Sequence, residues 1–373
     1  MTQHWKTDRL GNVATLQRGF DLPHRLRKPG PHPIVTSSGI EQHHSVAKVP
    51  GPGVVTGRYG TIGKVFFVPQ AFWPLNTTLY VRDFLGNDPL FVSYLLRTID
   101  FDEHSGKTGV PGVNRNDLHE IQVSLPQTRD EQEAIAEALS DVDALIESLE
   151  QLLAKKRHLK QGAMQELLTG KKRLPSFSGK WELKRLGDIA KIQRGASPRP
   201  IDSPIWFDEN STVGWVRISD VTSSGMFLCE TTQRLSPQGI QSSRPVSRGS
   251  LIMSICATVG RPVITQIDVC IHDGFVVFDN LRVGREFLYY ILKFIEDNWS
   301  RHGQTGSQMN LNTVLINRTE VSVPSTVEEQ IAIAAVFSDM DAEIATLETK
   351  LSKARQLKTG MMQELLTGRI RLI

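Results

Sequence analysis

The chain has 373 residues, of which 39% are hydrophobic and 22% are charged, and its formal net charge at pH 7 is +3. This composition is typical of a globular protein and excludes a polycationic or disordered chain. Cys229, Cys256 and Cys270 include no close pair, so neither a disulfide framework nor a cysteine-based zinc site is expected. No apolar run approaches the roughly 18 residues of a membrane span, and MTQHWKTDRLG lacks the apolar core of a signal peptide. A cytoplasmic location is therefore expected.

The opening WKTDRLGNVATLQRG from Trp5 is matched by WELKRLGDIAKIQRG from Trp181, which indicates an internal repeat. Residues 130–174 also align without a gap on residues 328–372, and 27 of the 45 aligned positions are identical. Between these anchors the two halves diverge. The pattern predicts a duplicated arrangement in which a variable segment is followed, twice, by a repeated segment.

The variable segments, residues 1–128 and 175–326, are predicted to be mixed α/β domains. Glycines interrupt short β-rich runs such as GVVTGRYGTIGKVFFV from Gly53 and GSLIMSICATVGRPVIT from Gly249. One helix-like stretch follows in each domain, LFVSYLLRTID from Leu90 and EFLYYILKFIEDNW from Glu286. VSLP and VSVP then close the two segments.

The repeated segments, residues 129–174 and 327–373, are predicted to be long spacer helices, the first with a short linker after it. Their apolar residues step by three and four, which indicates the seam of a coiled coil. Gly162 and Gly360 weaken the expectation of a continuous helix in the last third of each segment. The seam positions are Ile135, Leu139, Val142, Ile146, Leu149 and Leu153, and Ile333, Phe337, Met340, Ile344, Leu347 and Leu351.

The distribution of charge along these helices predicts how they pair. Acidic residues crowd the first half of each repeated segment, and basic residues crowd the second half. An antiparallel pair places acids beside bases, whereas a parallel pair would place acids beside acids. The alternative is that each gradient only complements the dipole of its own helix, but this does not explain the seams. The expected fold class is α+β: two mixed α/β domains separated by an antiparallel coiled coil, with a pseudo-two-fold internal repeat.

Motifs for catalysis by this chain are missing. SGKTG at Ser105 resembles the end of a phosphate-binding P-loop, but Phe101 stands where that loop requires its first glycine. No G-x-G-x-x-G or H-E-x-x-H sequence occurs, and His43 with His44 has no acidic or cysteine residue at a useful metal-ligand spacing. No catalytic residue, metal site or cofactor is therefore expected in this chain.

The duplicated features together resemble the specificity subunit of type I restriction-modification enzymes. The resemblance rests on the helix repeats, the paired W…RLG openings, the junctions VSLP…DEQEAI and VSVP…EEQIAI, and the linker LPSFSGKWELKRLGDI. GWVRISDV from Gly214 is similar to a Trp-containing strand of the family's recognition domains. HPIVTSSGI from His32 is similar to another branch of such domains.

The resemblance implies that residues 1–128 and 175–326 are target recognition domains, each of which binds one half of a bipartite, asymmetric double-stranded DNA sequence. It implies that the spacer helices dock two methyltransferase subunits, which ATP-dependent restriction subunits join. S-adenosylmethionine, ATP and magnesium are then expected in the partners, and this chain is expected to be a non-catalytic subunit in defence against foreign DNA.

The candidate DNA-contacting residues lie in glycine-rich turns and amide-rich segments of the variable domains. Arginine can bind phosphate or guanine, and asparagine and glutamine can pair with adenine edges. The alternatives are solvated hairpin turns, an amide-rich surface loop and, for Arg217 with Asp220, a structural ion pair. The candidates are Arg58, Lys64, Lys107, Asn114, Arg115, Arg217, Asp220, Arg261, Gln304, Gln308, Asn310 and Asn312.

Two other classes of function compete with DNA recognition. A coiled-coil scaffold that carries two protein-binding domains explains the helices but not the pair of divergent domains. A complete DNA-modifying enzyme is opposed by the missing motifs.

Overall fold

A computed structural model of the protein describes residues 5–105, 112–301 and 311–372. The chain divides into two compact units: unit 1 comprises Met1–Gln151 and Glu348–Ile373, and unit 2 comprises Leu152–Leu347. Each unit therefore contains one variable segment, part of one repeated helix and the complementary part of the other.

Small β-sheets, in which most strand pairs are antiparallel, form the globular part of unit 1. Its strands are β1 (Trp5–Arg9), β2 (Thr15–Arg18), β3 (His32–Thr36), β4 (Gly39–His44), β5 (Gly53–Gly57), β6 (Val65–Val68), β7 (Trp73–Pro74), β8 (Thr78–Asp83) and β9 (Gln122–Pro126). One sheet has the order β2-β8-β5-β6, a second has the order β4-β3-β7 with β3 and β7 parallel, and β1 pairs with β9. β5 is buried at every position, and β6 and β8 pair with its two edges.

Helices α1 (Pro89–Leu96) and α2 (Arg115–His119) follow in unit 1, and the long α3 (Arg129–Leu167) begins in unit 1 and ends in unit 2. The carboxylate of Asp88 accepts a 2.7 Å hydrogen bond from the backbone N–H of Phe91, and Pro89 occupies the first turn, so α1 begins with a favourable cap. The core of unit 1 joins this helix to Leu139 of α3 and to Leu365 from the second repeated segment.

Unit 2 has the same kinds of element with additional strands. Its strands are β10 (Trp181–Arg185), β11 (Lys191–Arg194), β12 (Gly214–Val216), β13 (Phe227–Leu228), β14 (Gln233–Arg234), β15 (Arg244–Val246), β16 (Leu251–Ser254), β17 (Pro262–Thr265), β18 (Val269–Ile271), β19 (Phe275–Asp279) and β20 (Glu320–Pro324). Its helices are α4 (Leu186–Ile189), α5 (Ile218–Ser223), α6 (Pro237–Gln241), α7 (Arg285–Phe294), α8 (Glu296–Arg301) and α9 (Thr313–Arg318). The long α10 (Val327–Leu365) begins in unit 2 and ends in unit 1. The sheet orders are β11-β19-β16-β17-β13, β14-β12-β18-β15 and β10-β20.

The two units are built on the same plan. The order β11-β19-β16-β17 in unit 2 repeats the order β2-β8-β5-β6 in unit 1. In unit 1 the backbone N–H of Val113 donates to the carbonyl of Arg58 at 3.0 Å, and in unit 2 the N–H of Leu311 donates to the carbonyl of Ile255 at 2.9 Å. These bonds make Arg58 and Ile255 equivalent positions although the sequences around them differ.

The long helices pair antiparallel within each unit. In unit 1, Glu150 contacts Arg355 at 2.6 Å and Asp143 contacts Lys358 at 2.5 Å. Residue numbers therefore decrease along one helix as they increase along the other. In unit 2, Lys160 contacts Asp341 at 2.5 Å, which is the counterpart of Lys358 with Asp143, and Lys156 contacts Glu343 at 2.6 Å. The pairing joins the acidic half of one helix to the basic half of the other and confirms the predicted fold class.

Gly162 and Gly360 do not interrupt the long helices, since α3 continues to Leu167 and α10 to Leu365. Neither glycine has a neighbouring atom within 4 Å of the position that a Cβ would take. The helices end instead beside Gly170 and Gly368, whose φ angles of +70° and +72° favour glycine. The boundaries predicted for the recognition domains and spacer helices stay a prediction.

Candidate nucleic-acid interface

A glycine follows the QR dipeptide at the end of β2 and of β11, where two chain segments approach closely. A Cβ on Gly19 would stand 2.2 Å from the carbonyl oxygen of Leu75, and a Cβ on Gly195 would stand 2.1 Å from that of His272. Since only glycine permits this approach, the repeated QRG sequence places each strand end against the loop that precedes β8 or β19.

Side-chain hydrogen bonds fix both of these loops. In unit 1 the Asn76 amide donates to the carboxylate of Asp21. In unit 2 the Ser197 hydroxyl donates to the carboxylate of Asp273 at 2.7 Å, and this bond lowers the pKa of Asp273 below its ordinary value. Arg199 adds an ion pair with Asp273 at 3.3 Å. The same connection is therefore made with different residue types.

The turns that follow β5 and β16 have matching backbones. Gly63 and Gly260 have φ angles of +78° and +84°, and Gly60 and Ala257 have φ angles of +79° and +56°. A left-handed conformation costs a residue with a Cβ roughly 1–2 kcal/mol, so the surrounding unit must hold Ala257 in this shape.

The side chains on these turns differ between the units. Lys64 follows Gly63, and Arg261 follows the equivalent Gly260, so both units carry a cation there. Lys64 is exposed, whereas Arg261 is half-buried and its guanidinium donates to the carbonyl of Ser224 at 3.4 Å. Arg58 has Ile255 as its counterpart, so this cation is specific to unit 1.

A cavity of about 480 Å³ lies beside the turn in unit 1. Three of the predicted DNA-contacting residues, Arg58, Asn114 and Arg115, line it together. Arg18 and Tyr59 line it as well. The Arg58 guanidinium lies over the Tyr59 ring, 4.5 Å from its centroid, which is a cation–π arrangement.

Asn114 and Asn312 occupy equivalent positions at the starts of α2 and α9. The side chain of Asn114 accepts a 3.0 Å hydrogen bond from the backbone N–H of Asn116, and that of Asn312 accepts a 2.8 Å bond from the N–H of Leu315. Both amides therefore cap helices, and their contact with adenine stays a prediction.

Asp220 is 6% exposed and holds local structure. Its carboxylate accepts a 2.8 Å hydrogen bond from the backbone N–H of Arg217 and a 3.1 Å bond from the hydroxyl of Thr232. The Arg217 guanidinium donates instead to the Gln233 side chain at 2.6 Å. The contact between Arg217 and Asp220 is thus a helix cap rather than the ion pair considered above, and DNA contact by either residue stays a prediction.

Part of the predicted interface lies outside the described residues. These positions are Lys107, Gln304, Gln308 and Asn310. The predictions for them stay predictions.

Comparison with known proteins identifies the family. Residues 2–155 and 178–356 match the family model described as type I restriction modification DNA specificity domain. The chain belongs to this family. It is a specificity subunit, the non-catalytic DNA-recognition component of a type I restriction-modification system, and the resemblance inferred from sequence is confirmed.

Sequence matches to two other specificity subunits extend over about three quarters of this chain. The type I restriction enzyme MjaVIII specificity subunit of Methanocaldococcus jannaschii is 26% identical, and the match covers 76% of this chain and 70% of that protein. The putative MjaX specificity subunit of the same organism is 24% identical over 76% of this chain and 69% of that protein.

Solved structures share the fold of the specificity subunit. The crystal structure of the type I restriction-modification system S subunit from M. genitalium aligns with a TM-score of 0.68 at 16% identity, over 98% of this chain and 97% of that chain. A structure that describes complex assembly and conformational transition of the type I R-M system aligns with a TM-score of 0.57 at 18% identity, over 98% of each chain.

The first turn of α3 in this specificity subunit carries a buried glutamate that joins three chain segments of unit 1. The Glu131 side chain is 1% exposed. Its carboxylate accepts two 2.9 Å hydrogen bonds from the guanidinium of Arg371 and one of 3.3 Å from the indole N–H of Trp5. The hydrogen bond to Glu131 raises the pKa of Arg371 above its ordinary value.

Unit 2 repeats this junction with equivalent residues. The Glu329 carboxylate accepts hydrogen bonds of 2.5 Å and 2.6 Å from Arg173 and one of 3.3 Å from the indole of Trp181. Arg173 also donates to the carbonyl of Gly179 at 2.6 Å. Each unit therefore contains the same junction. It is formed by a tryptophan, the glutamate of the DEQ or EEQ sequence, and an arginine near the end of a repeated segment.

A second repeated contact fixes each recognition domain to both long helices. In unit 1 the Tyr94 hydroxyl donates to Asp143 at 2.8 Å, while Lys358 contacts the same carboxylate. Burial and the hydrogen bond to Asp143 raise the pKa of Tyr94 to about 12. In unit 2 the corresponding residues are Tyr290, Asp341 and Lys160.

Every predicted seam position is buried or half-buried in the structure. The buried positions are Ile135, Leu139, Val142, Leu153, Ile333, Phe337, Leu347 and Leu351. The half-buried positions are Ile146, Leu149, Met340 and Ile344. A role for these residues in docking a partner subunit stays a prediction.

Sequence reasoning did not single out Arg18 and Tyr59 of the cavity or the glutamates of the junctions. The signal for Arg18 was present, because QRG occurs in both openings. The signal for Glu131 and Glu329 was present in the repeated DEQ and EEQ junctions.

The described residues include neither a candidate membrane span nor a candidate metal site. Among residues 5–105, 112–301 and 311–372, no helix is long and apolar enough to cross a membrane. Within the same ranges, no group of three or more His, Cys, Asp or Glu side chains is arranged to hold a metal ion.

Proposed function

We propose that this specificity subunit binds a bipartite, asymmetric double-stranded DNA sequence, with one half-site for each recognition domain. The observation that carries the proposal is that the two units share a backbone plan but differ in the side chains at equivalent positions, such as Arg58 and Ile255. Backbone contacts position a protein on DNA, whereas side chains determine which bases are recognised. Two domains with different side chains should therefore prefer different half-sites.

The two long helices dock two methyltransferase subunits, and restriction subunits join through the resulting complex. Support comes from the repeated junctions, which present equivalent helix ends in both units. Leu152 and Leu159 of α3 are 39% and 50% exposed and lie one heptad apart, so they offer apolar surface to a partner. S-adenosylmethionine, ATP and magnesium act in those partners, and the expected cytoplasmic location stays a prediction.

The experiment begins by mapping DNA methylation in a host with and without the gene, which gives the target sequence. Gel shifts then compare the chain alone with the chain plus its methyltransferase subunits, on the target duplex and on duplexes with one half-site altered. The proposal predicts strong binding by the complex to the intact target only. Failure to bind DNA in either state would indicate a protein scaffold, and methylation by the chain alone would indicate a complete enzyme.

A further inference from the structure

Three arginines line the cavity of unit 1 with one carboxylate among them. Arg18, Arg58 and Arg115 contribute the positive charges, and Asp117 contributes the negative charge. Within the described part of the chain, the ion pairs include Arg18 with Asp21 at 3.7 Å, and no carboxylate lies within 4.0 Å of the Arg58 or Arg115 guanidinium. The cavity therefore has an excess of positive charge that the described residues do not neutralise.

The local structure fixes the backbone that carries each of these arginines. Arg58 lies over the Tyr59 ring, and that ring packs so closely on Gly112 that a Cβ there would stand 2.4 Å from it. Arg115 begins α2 directly after the capping Asn114, and Arg18 directly precedes the close approach at Gly19. An anion entering the cavity would therefore meet cations whose backbones are already fixed, which lowers the entropic cost of binding.

The equivalent place in unit 2 lacks this arrangement. Ile255 replaces Arg58, and Thr313 replaces Arg115, since both follow the equivalent capping asparagines. Arg194 is the counterpart of Arg18, but its guanidinium donates to the carbonyl of Asp273 at 2.6 Å. The cationic cavity is thus a feature by which the two recognition domains differ.

We infer that this cavity binds a backbone phosphate of the DNA half-site that the first recognition domain contacts, an inference that rests on the proposed function. A phosphate projects from the duplex and can enter a concavity, whereas base edges are recessed within a groove. The planar guanidinium offers paired N–H donors that match phosphate oxygens. The first domain thereby gains a contact that is independent of sequence, while base recognition depends on other side chains.

The test uses the full subunit assembled with its methyltransferase partners. Dissociation constants are measured across a series of salt concentrations, on target and non-target duplexes, for the wild type, Arg58→Ala and Arg115→Ala. Each substitution should weaken binding to both duplexes by a similar factor and reduce the salt slope by about 1, because one counterion fewer is released. Arg58→Lys, which keeps the charge, should restore most of the salt slope.

Arg82→Ala is the matched control. Arg82 is exposed on β8, three residues and about 10 Å along the strand from Leu79, which lines the cavity. Its removal should leave the salt slope within error of the wild type. An equal loss for Arg82→Ala and Arg58→Ala would show a diffuse charge effect and would overturn the inference.

Neutral methylphosphonates placed one at a time in the DNA identify the phosphate. At one position in the half-site of the first domain, the substitution should weaken the wild type but cause no further loss in Arg58→Ala. If wild-type binding is sequence-specific and no position shows this coupling, or if Arg58→Ala changes the methylated sequence, the phosphate contact is wrong while the proposed function stands. If the wild-type complex shows no sequence-specific binding, the proposed function itself fails.

Discussion

The two recognition domains agree in backbone and differ in the side chains that they present. Gly63 and Gly260 adopt the same left-handed conformation, yet the residue five positions before each is Arg58 in one domain and Ile255 in the other. The fold constrains positions where the backbone must turn or approach another segment. Other positions on the same turns are free to change: Arg58 is half-buried beside the cavity, whereas Ile255 is buried in the core of unit 2. A difference in DNA target can arise at such positions.

The junctions with the long helices show the opposite behaviour. Trp5, Glu131 and Arg371 in unit 1 are matched residue for residue by Trp181, Glu329 and Arg173 in unit 2. Both junctions attach a domain to the same kind of helix pair, so there is no reason for them to diverge. Identity between the halves therefore marks a shared structural task, and divergence marks a task that differs.

The largest effect is expected at the buried glutamates. Arg173→Ala leaves the Glu329 carboxylate, which is 1% exposed, without its charged partner, and such a loss costs roughly 3–5 kcal/mol. Arg371→Ala should destabilise unit 1 in the same direction but less, because Arg173 also bonds to Gly179. Urea denaturation of the full chain measures both.

Exposed neighbours serve as controls for these arginines. Lys172 and Arg369 form surface ion pairs with Glu166 and Glu364, so each alanine substitution should cost less than about 1 kcal/mol. If Arg173→Ala lowers the free energy of unfolding no more than Lys172→Ala does, the junction does not stabilise the subunit.

The glycines of the QRG sequences should be equally intolerant in both domains. A Cβ at Gly19 or Gly195 would overlap a backbone carbonyl, so each alanine substitution should cost about 1–3 kcal/mol or more. Gly162→Ala is the matched control: it adds a methyl group to an open face of α3 and should stabilise the chain by roughly 0.5–1 kcal/mol. Thermal unfolding distinguishes the opposite signs, and loss of stability in only one QRG variant would contradict the common plan.

The tyrosine contacts should reveal a small inequality between the units. Tyr290→Phe removes a hydrogen bond to a carboxylate and should cost roughly 1.5–3 kcal/mol. Tyr94→Phe should cost less, because Arg97 also lies 3.5 Å from the Asp143 carboxylate and can compensate. Chemical denaturation of both variants measures the two losses in the free energy of unfolding. A larger loss for Tyr94→Phe than for Tyr290→Phe would contradict this prediction.

The smallest effect concerns pH. His119 accepts a 2.9 Å hydrogen bond from the backbone N–H of Leu16, and burial lowers its pKa below the ordinary value. As the pH falls below about 6.5, His119 takes up a proton in the unfolded chain before it does so in the folded chain. The free energy of unfolding therefore decreases with falling pH until His119 is also protonated in the folded chain.

His119→Asn should reduce this pH dependence, because asparagine does not titrate and is the natural residue at the equivalent Asn317. Urea midpoints at pH 7.5 and pH 5.5 measure the change. An unaltered difference between these midpoints would exclude His119 as a source of acid sensitivity.

The sequence was sufficient to predict the helices, their antiparallel pairing and the family. Their signals are local or repeated: the seam of Ile135 and Leu139, the opposed charge gradients, and the duplicated openings. The expected weakness at Gly162 was not realised, since one glycine costs about 1 kcal/mol and its helical neighbours outweigh it.

The cavity could not be predicted because it depends on long-range pairing. Arg18, Arg58 and Arg115 are far apart in the chain and meet only when β2, β5 and α2 come together. Asp220 was misleading for a similar reason: its capping role depends on Thr232 and on the local backbone, which composition does not reveal.

Domain exchange tests the central claim most directly. Residues 175–326 are replaced by a recognition domain from another specificity subunit, with both long helices retained, and the methylated sequence is mapped in a host that carries the partner subunits. One half of the methylated sequence should change while the other half stays the same, because each unit carries its own recognition side chains. A change in both halves, or in neither, would contradict the account.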